Sequence, residues 1–240
     1  YRGDDIARVE RLDSLARAAL PFALATVGMA IVVIAGGIDL SIAAMMSVAS
    51  VTGAVLMDGA SDGQSVLIVL GVLVLGLAMG AINGFLVWAL QIPPIVVTLG
   101  TLTIYRGMSF VLSGGAWVNA HQMQPDFLGV PRLPVLGLPI LSWVAIAVIL
   151  LIGFILARTP FGRSAYAAGG NPVAAIYAGI DVGRARFLAF VLSGALAGLS
   201  GYLWVSRYAV AYVDIAGGFE LDSVAANVIG GISIAGGIGT

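Results

Sequence analysis

The sequence predicts an all-α, polytopic transmembrane helical bundle, because three of its features indicate that lipid is the main solvent of the chain. Of the 240 residues, 60% are hydrophobic and only 10% are charged, whereas soluble domains are about half apolar and about a quarter charged. The apolar residues form continuous runs close to the roughly 20 residues that a helix needs to cross a bilayer. These runs do not alternate with polar residues, as the strands of a membrane β-barrel would.

The predicted membrane segments follow one another along residues 1–240, which form one transmembrane domain. Some segments are short or broken, and the last is either a half-helix or a truncated helix. Glycines about one helical turn apart, such as Gly76 and Gly80, indicate close packing between helices. The predicted segments are residues 15–35, 42–57, 65–90, 95–112, 138–157, 187–205 and 221–229.

Composition excludes several classes of function. The formal net charge is −1, so no basic excess indicates a nucleic-acid partner. With no cysteine and only His121, the chain is expected to bind no metal. All eleven cationic residues are arginines, so the lysine-containing phosphate loop G-x-x-x-x-G-K-[ST] is impossible here. We therefore expect a chain that is not an enzyme, does not hydrolyse ATP itself and holds no cofactor.

Arginines set the predicted orientation in the membrane. Residues 158–186 carry four arginines against one acid, Asp181, and the positive-inside rule makes this loop cytoplasmic. The polar extramembrane segment 1–14 and the loop 113–137 then lie outside. Arginines near the start conflict with that placement, and we expect a membrane helix upstream of Tyr1 to resolve the conflict.

The loop 158–186 contains the signals of a short helix. Asn171 suits the N-cap position, Pro172 suits the first helical position, and Gly179 suits the position just past the end. A helix of about two turns is unstable alone in water and must rest on something. Its apolar side chains either meet a partner protein or pack back on the membrane helices, and these features alone do not decide between the two.

Polar residues also fall inside the predicted membrane segments or their breaks, where such groups usually face a cavity or a partner. We expect Asp39 or Ser41 to cap the second segment, either in a purely structural role or at an inner gate. Arg106 needs an acidic or carbonyl partner, and Asp39 is the first candidate. The residues assigned to a translocation path or gate are Asp39, Ser41, Asn83, Arg106 and Asn227.

Several motifs of the chain resemble those of a known family. It is similar to the inner-membrane permeases of bacterial monosaccharide ABC importers of the ribose, xylose and arabinose type, which include the rhamnose and autoinducer-2 permeases. The likeness follows the order of the family over nearly all 240 residues. It rests on GGIDLS at 36–41, AING at 81–84, QIPPIVVTLGT at 91–101, YRG at 105–107, TPFGR at 159–163, GGNP at 169–172, GFELD at 218–222, IGG at 229–231 and GG at 236–237.

The resemblance implies a subunit that imports solute by alternating access across the bacterial inner membrane. It also implies that this sequence lacks the first and last membrane helices of the family. The implied partners are an ATP-binding cassette ATPase, which holds ATP and Mg, a periplasmic solute-binding protein and a second permease copy or paralogue. Acids of an outer loop, Asp214, Glu220 and Asp222, are candidates for docking the binding protein. The coupling helix that would enter the ATPase comprises Gly170, Asn171, Pro172, Ala174, Ala175, Tyr177 and Gly179.

Two other hypotheses stay open on the residues alone. An ion-coupled secondary transporter would require ionisable groups near the midplane of broken helices, and Arg106 is the strongest such group here. A membrane enzyme is disfavoured because the catalytic motifs are missing. One departure from the family is Ile42-Ala43, where relatives often have Val-Gly after Asp-Leu-Ser. The sequence does not identify the sugar or sugar-like solute, or distinguish a homodimer from a heterodimer.

Overall fold

The computed structural model describes residues 19–61 and 63–239, and this part of the chain is a helical bundle, as predicted. Four of its helices, Ser65–Ala89, Pro94–Ser113, Ile140–Arg158 and Val182–Tyr208, are long and apolar enough to cross a membrane, while Ala19–Ile34 and Ile42–Met57 are shorter apolar helices. The helices are α1 Ala19–Ile34, α2 Ile42–Met57, α3 Ser65–Ala89, α4 Pro94–Ser113, α5 Pro125–Gly129, α6 Ile140–Arg158, α7 Pro160–Gly170, α8 Pro172–Tyr177, α9 Val182–Tyr208 and α10 Phe219–Ile229. The predicted segment 1–14 lies outside the described residues.

Helix α2 forms the centre of the bundle. Of its 16 residues, 13 are buried, and it packs against α3, α4 and α9. A helix that is apolar on all sides is expected to be enclosed by other helices. The observed bounds of α2 agree with the predicted segment 42–57, because the glycines before it and the polar residues after it mark both ends in the sequence.

Helices α3 and α9 pack with their backbones in direct contact. A Cβ atom added to Gly76 would lie 2.5 Å from the carbonyl oxygen of Gly194 and 2.9 Å from Cα of Gly198. The backbone of Phe190 approaches Gly80 in the same way. The glycine spacing seen in the sequence therefore corresponds to backbone contact between these two helices.

Two short antiparallel ribbons lie at one end of the bundle. Strand β1 (Val118–Asn119) pairs with β4 (Val210–Ala211), and β2 (Pro134–Val135) pairs with β3 (Leu138–Pro139). Leu136 and Gly137 join β2 to β3 with φ values of 51° and 83°, which suits a tight hairpin turn. The helix α5 buries Phe127 beneath this region. We call this end the hairpin end and the other end, which carries α8, the α8 end.

The region 158–186 is more ordered than the sequence predicts. Helix α7 was not predicted, and α9 begins at Val182 rather than at residue 187. Helix α7 is rich in small residues, so it does not stand out in the sequence as an apolar run. Thr159 caps it by accepting a hydrogen bond from the Gly162 N–H at 3.3 Å.

Candidate coupling and translocation sites

A buried polar cluster surrounds Asp39 in the break between α1 and α2. The Asp39 Oδ1 atom accepts hydrogen bonds from the Ser41 hydroxyl at 2.6 Å and from the Ser41 N–H at 3.1 Å. The Oδ2 atom accepts one from the Ser193 hydroxyl at 2.9 Å. Ser41 occupies the N-cap position of α2, but its side chain accepts no backbone N–H there. Asp39 instead binds the N–H of the N-cap residue.

Two further helices supply the other members of this cluster. Asn83 of α3 donates from Nδ2 to the Ser41 hydroxyl at 2.8 Å. The Tyr105 hydroxyl of α4 lies 3.0 Å from the Met79 carbonyl oxygen and 3.4 Å from Asn83 Oδ1. We define the Asp39 cluster as these five side chains: Asp39, Ser41, Asn83, Tyr105 and Ser193.

The Asp39 cluster is closed to solvent in this conformation. Asp39, Ser41, Asn83 and Ser193 are 0% exposed and Tyr105 is 3% exposed. Three donors on one carboxylate take the place of the hydrogen bonds that water would otherwise supply. The cluster therefore fixes the α1–α2 break against α3, α4 and α9. Ser193 is not among the residues that the sequence assigned to a path or gate, although a polar side chain in an apolar segment was a signal for this role.

The predicted pairing of Arg106 with Asp39 is wrong. Arg106 Nη1 donates to the carbonyl oxygens of Val213 and Ile215, both at 2.8 Å, and lies 3.7 Å from Asp214 Oδ1. Pro94 lies against the α1–α2 break at Gly37, and Arg106 is about 18 Å further along α4 at 1.5 Å per residue. Arg106 therefore binds the loop that follows β4 rather than the α1–α2 break. Its expected acidic or carbonyl partner exists, but it belongs to the loop after α9.

Arg106→Gln is expected to release this loop. Hydrogen bonds to a charged group contribute about 1.5–3 kcal/mol, so the free energy of unfolding should fall by about that amount. Limited proteolysis between residues 209 and 218 should become faster. Asp214→Asn is the matched control, because that side chain is 83% exposed and an exposed ion pair contributes about 1 kcal/mol or less. Equal losses in the two variants would contradict a role based on the carbonyl contacts.

Asn227 also lies apart from the Asp39 cluster. It is 6% exposed, and its Nδ2 donates to the carbonyl oxygen of Thr26 at 3.1 Å. This bond attaches α10 to the middle of α1. Of the five residues assigned to a path or gate, the structure thus brings together Asp39, Ser41 and Asn83 and places Arg106 and Asn227 elsewhere.

Helix α8 has the caps that the sequence predicts. Asn171 Oδ1 accepts from the Ala174 N–H at 2.9 Å, and Pro172 is the first helical residue. Gly179 has a φ of 79°, and its N–H donates to the Ile176 carbonyl at 2.9 Å. A left-handed residue at this position is the usual helix stop.

The faces of α8 differ in what they contact. Val173, Ile176 and Tyr177 are 63%, 62% and 88% exposed. Ala175 is only 4% exposed and packs with small residues of α7 and α9. Ala174 and Tyr177 are therefore exposed on the outer face of α8. Ala175, also in the predicted coupling set, packs on the inner face and anchors α8 to α7 and α9.

The α8 end connects closely to the α1–α2 break. A Cβ atom on Gly169 would clash with the carbonyl oxygen of Ile34, and it would lie 3.0 Å from the Gly36 nitrogen. Arg186 Nε donates to the Ala35 carbonyl oxygen at 3.2 Å. Gly169 stands two residues before the cap of α8, and Gly36 stands three residues before Asp39. Close contacts of Gly169 and Arg186 with residues 34–36 thus connect α8 to the Asp39 cluster. We call this region the packed strip.

The three acids assigned to binding-protein docking lie at or near the hairpin end. Asp214 and Asp222 are exposed, whereas Glu220 is partly buried. One carboxylate oxygen of Glu220 is buried and finds no hydrogen-bond partner among the described residues. Within the described ranges, no three His, Asp or Glu side chains group as a metal site would require.

Comparisons with known proteins agree on one family. The family described as "Branched-chain amino acid transport system / permease component" matches residues 11–239. The autoinducer 2 import system permease protein LsrC of Klebsiella pneumoniae subsp. pneumoniae is 41% identical over 166 residues, which are 69% of this chain and 48% of that protein. The LsrC proteins of Yersinia pseudotuberculosis serotype O:1b and Shigella flexneri are each 35% identical across 90% of this chain, and the matches cover 61% and 62% of those proteins.

The chain spans about half to three-fifths of the length of these relatives. No solved structure matches it significantly. The resemblance to permeases that include the autoinducer-2 type is confirmed, and the family together with four membrane-length helices identifies a multi-pass protein of the bacterial inner membrane. The chain belongs to the family described as the permease component of branched-chain amino acid transport systems.

Proposed function

We propose that this chain is part of the permease subunit of an ATP-binding cassette importer that moves a monosaccharide or sugar-like solute by alternating access. The observation that carries the proposal is α8, a doubly capped short helix with exposed apolar side chains, in a chain of a transport permease family. Autoinducer 2 is the first solute to test, because the similar LsrC proteins are permeases of autoinducer 2 import systems. The family description names branched-chain amino acids, which form the second class.

Helix α8 is proposed as the contact with the ATPase. Its exposed apolar side chains form a patch, and the helices on either side of α8 carry the exposed Arg163 and Arg184. Exposed apolar patches among charged residues are typical of protein interfaces. The four arginines of residues 158–186 favour a cytoplasmic position for this end. The partner ATPase would hold ATP and Mg, since this chain has no lysine for a phosphate loop.

The proposed route from the ATPase to the membrane interior follows the packed strip at the α8 end. A displacement of α8 would move Gly169, which packs against the end of α1. Arg186 binds the carbonyl of Ala35, the first residue after α1. Both contacts lie a few residues from the Asp39 cluster. Packed elements of this kind change between discrete arrangements rather than deform continuously, so the α1–α2 break is the proposed moving element of the gate.

The hairpin end is proposed as the periplasmic face. It would receive the solute-binding protein through acids that include Asp214, Glu220 and Asp222. Arg106 would keep the loop that carries Asp214 in a fixed position for this contact. A second permease copy or paralogue would complete the pathway in the membrane.

The test replaces exposed residues of α8 in the full-length protein. Ile176→Asp with Tyr177→Asp should abolish co-purification with the co-expressed ATPase, because two buried interface contacts become charged. ATP-dependent uptake of autoinducer 2 into proteoliposomes that contain the binding protein should fall to background. Position 175 is avoided, because a charge there would disrupt α8 itself.

Leu136→Asp is the matched control for this experiment. Leu136 is 89% exposed at the hairpin end and has a φ of 51°, a conformation that Asp tolerates. This variant should keep ATPase binding, because the substitution lies at the opposite end of the bundle from α8. Retained ATPase binding in the α8 variant would refute the coupling role, and uptake driven by an ion gradient without ATP would favour a secondary transporter instead.

A further inference from the structure

The last described part of the chain, residues 230–239, crosses part of the bundle without forming a helix. Just before this stretch, the Asn227 side chain donates a hydrogen bond to the Thr26 carbonyl of α1. Near the end of the stretch, the Gly237 N–H donates to the Ile34 carbonyl at 2.9 Å. These two contacts on α1 are eight residues apart, or about 12 Å along the helix axis. The stretch 230–239 therefore runs beside α1 toward the α8 end, at the depth of the membrane helices.

Several backbone groups of this stretch have no hydrogen-bond partner among residues 19–61 and 63–239. The Ser233 N–H donates to Ile238 and the Gly236 N–H donates to Ser233, both at 3.0 Å. By contrast, the carbonyl oxygens of Gly231, Ile234 and Ala235 accept no hydrogen bond from any described residue, and these three residues are exposed. Open peptide groups are strongly disfavoured in hydrocarbon, so they must face water or other protein.

Two non-helical segments and the start of α4 meet at one cavity. The cavity has a volume of about 230 Å³. It is lined by residues 36–38 of the α1–α2 break, residues 93–95 at the start of α4, and Ile234. Irregular backbone at membrane depth is tolerated where it is buried in protein or lines a water-filled space, and broken helices commonly form the solute sites of transporters.

We propose that the stretch 230–238 lines the water-filled solute pathway at the α8 end, with Ile38, Ile95 and Ile234 as its apolar constriction. This inference rests on the proposed permease function and adds the surface that the solute touches. Peptide carbonyls would offer a hydroxylated solute hydrogen bonds, while the isoleucines would keep its binding weak. Weak binding suits a pathway, because a solute must leave as readily as it enters.

Single cysteines test this placement directly, because the 240 residues contain no native cysteine. Ala235→Cys and Ile238→Cys are introduced separately into a full-length protein without other cysteines, and Leu150→Cys is the control. Leu150 is 68% exposed on α6, one of the membrane-length helices. A membrane-impermeant maleimide should label positions 235 and 238 at least about tenfold faster than position 150, because only the ionised thiol reacts and water permits ionisation.

The rate of labelling should also differ between ATP-bound and nucleotide-free complexes, as expected of a pathway that opens on one side at a time. Labelling of both positions at the rate of position 150, in variants that still take up autoinducer 2, would overturn the inference and leave the permease function standing. That outcome would show that another protein segment covers the stretch. Fast labelling in a protein that shows no ATP-dependent uptake would support a wet lining and refute the importer.

Discussion

Asp39→Ala is expected to cause the largest loss of stability among the variants considered. The substitution leaves the Ser41 N–H and the hydroxyls of Ser41 and Ser193 without their acceptor, in a site with 0% exposure. Each buried donor left unpaired costs about 1–3 kcal/mol. We expect a fall of several kcal/mol in the free energy of unfolding in detergent, together with a low yield of folded protein.

Asp39→Asn is the matched control, because its amide oxygen can still accept from Ser41. The amide nitrogen would then face the Ser193 hydroxyl, which can rotate to accept a hydrogen bond. Thermal unfolding of Asp39→Asn should lie close to that of the unmodified protein. If Asp39→Ala unfolds at the same temperature as the unmodified protein, the cluster does not hold the break. Uptake lost in a stable Asp39→Asn protein would show that the charge itself serves transport.

Gly80→Ala is also expected to cause a large loss of stability. The added methyl would lie 2.9 Å from Cα of Gly194 and closer still to the carbonyl oxygen of Phe190. These are backbone atoms, so relief requires α3 and α9 to separate along their whole contact. Overpacking of this kind costs about 1–3 kcal/mol, and the loss should appear as a lower unfolding temperature.

Gly71→Ala on the same helix provides the matched control for Gly80→Ala. No atom lies within 4 Å of a Cβ placed at Gly71, and alanine favours a helix over glycine by about 1 kcal/mol. Gly71→Ala should therefore be neutral or slightly stabilising. Similar unfolding temperatures for the two variants would show that helix propensity outweighs the α3–α9 contact.

Local signals in the sequence located much of the fold. Continuous apolar runs placed the membrane-length helices, and the cap residues Asn171, Pro172 and Gly179 defined α8, because both properties are set by neighbouring residues. Helix α7 and the early start of α9 were missed. Their residues are small or charged, and their helical form depends on capping at Thr159 and Asp181 and on packing against other parts of the chain.

The sequence by itself determined the solvent of this protein, its helical class, its family and the short helix between α7 and α9. Only the tertiary structure decided which polar residues meet. In the folded chain Asp39 accepts a hydrogen bond from Ser193, 154 positions away. Arg106 donates to carbonyls of the loop after α9 rather than to Asp39. Hydropathy and capping depend on residues within a few positions, whereas partners across a bundle depend on how far along each helix a side chain lies, and that is fixed only when the helices pack.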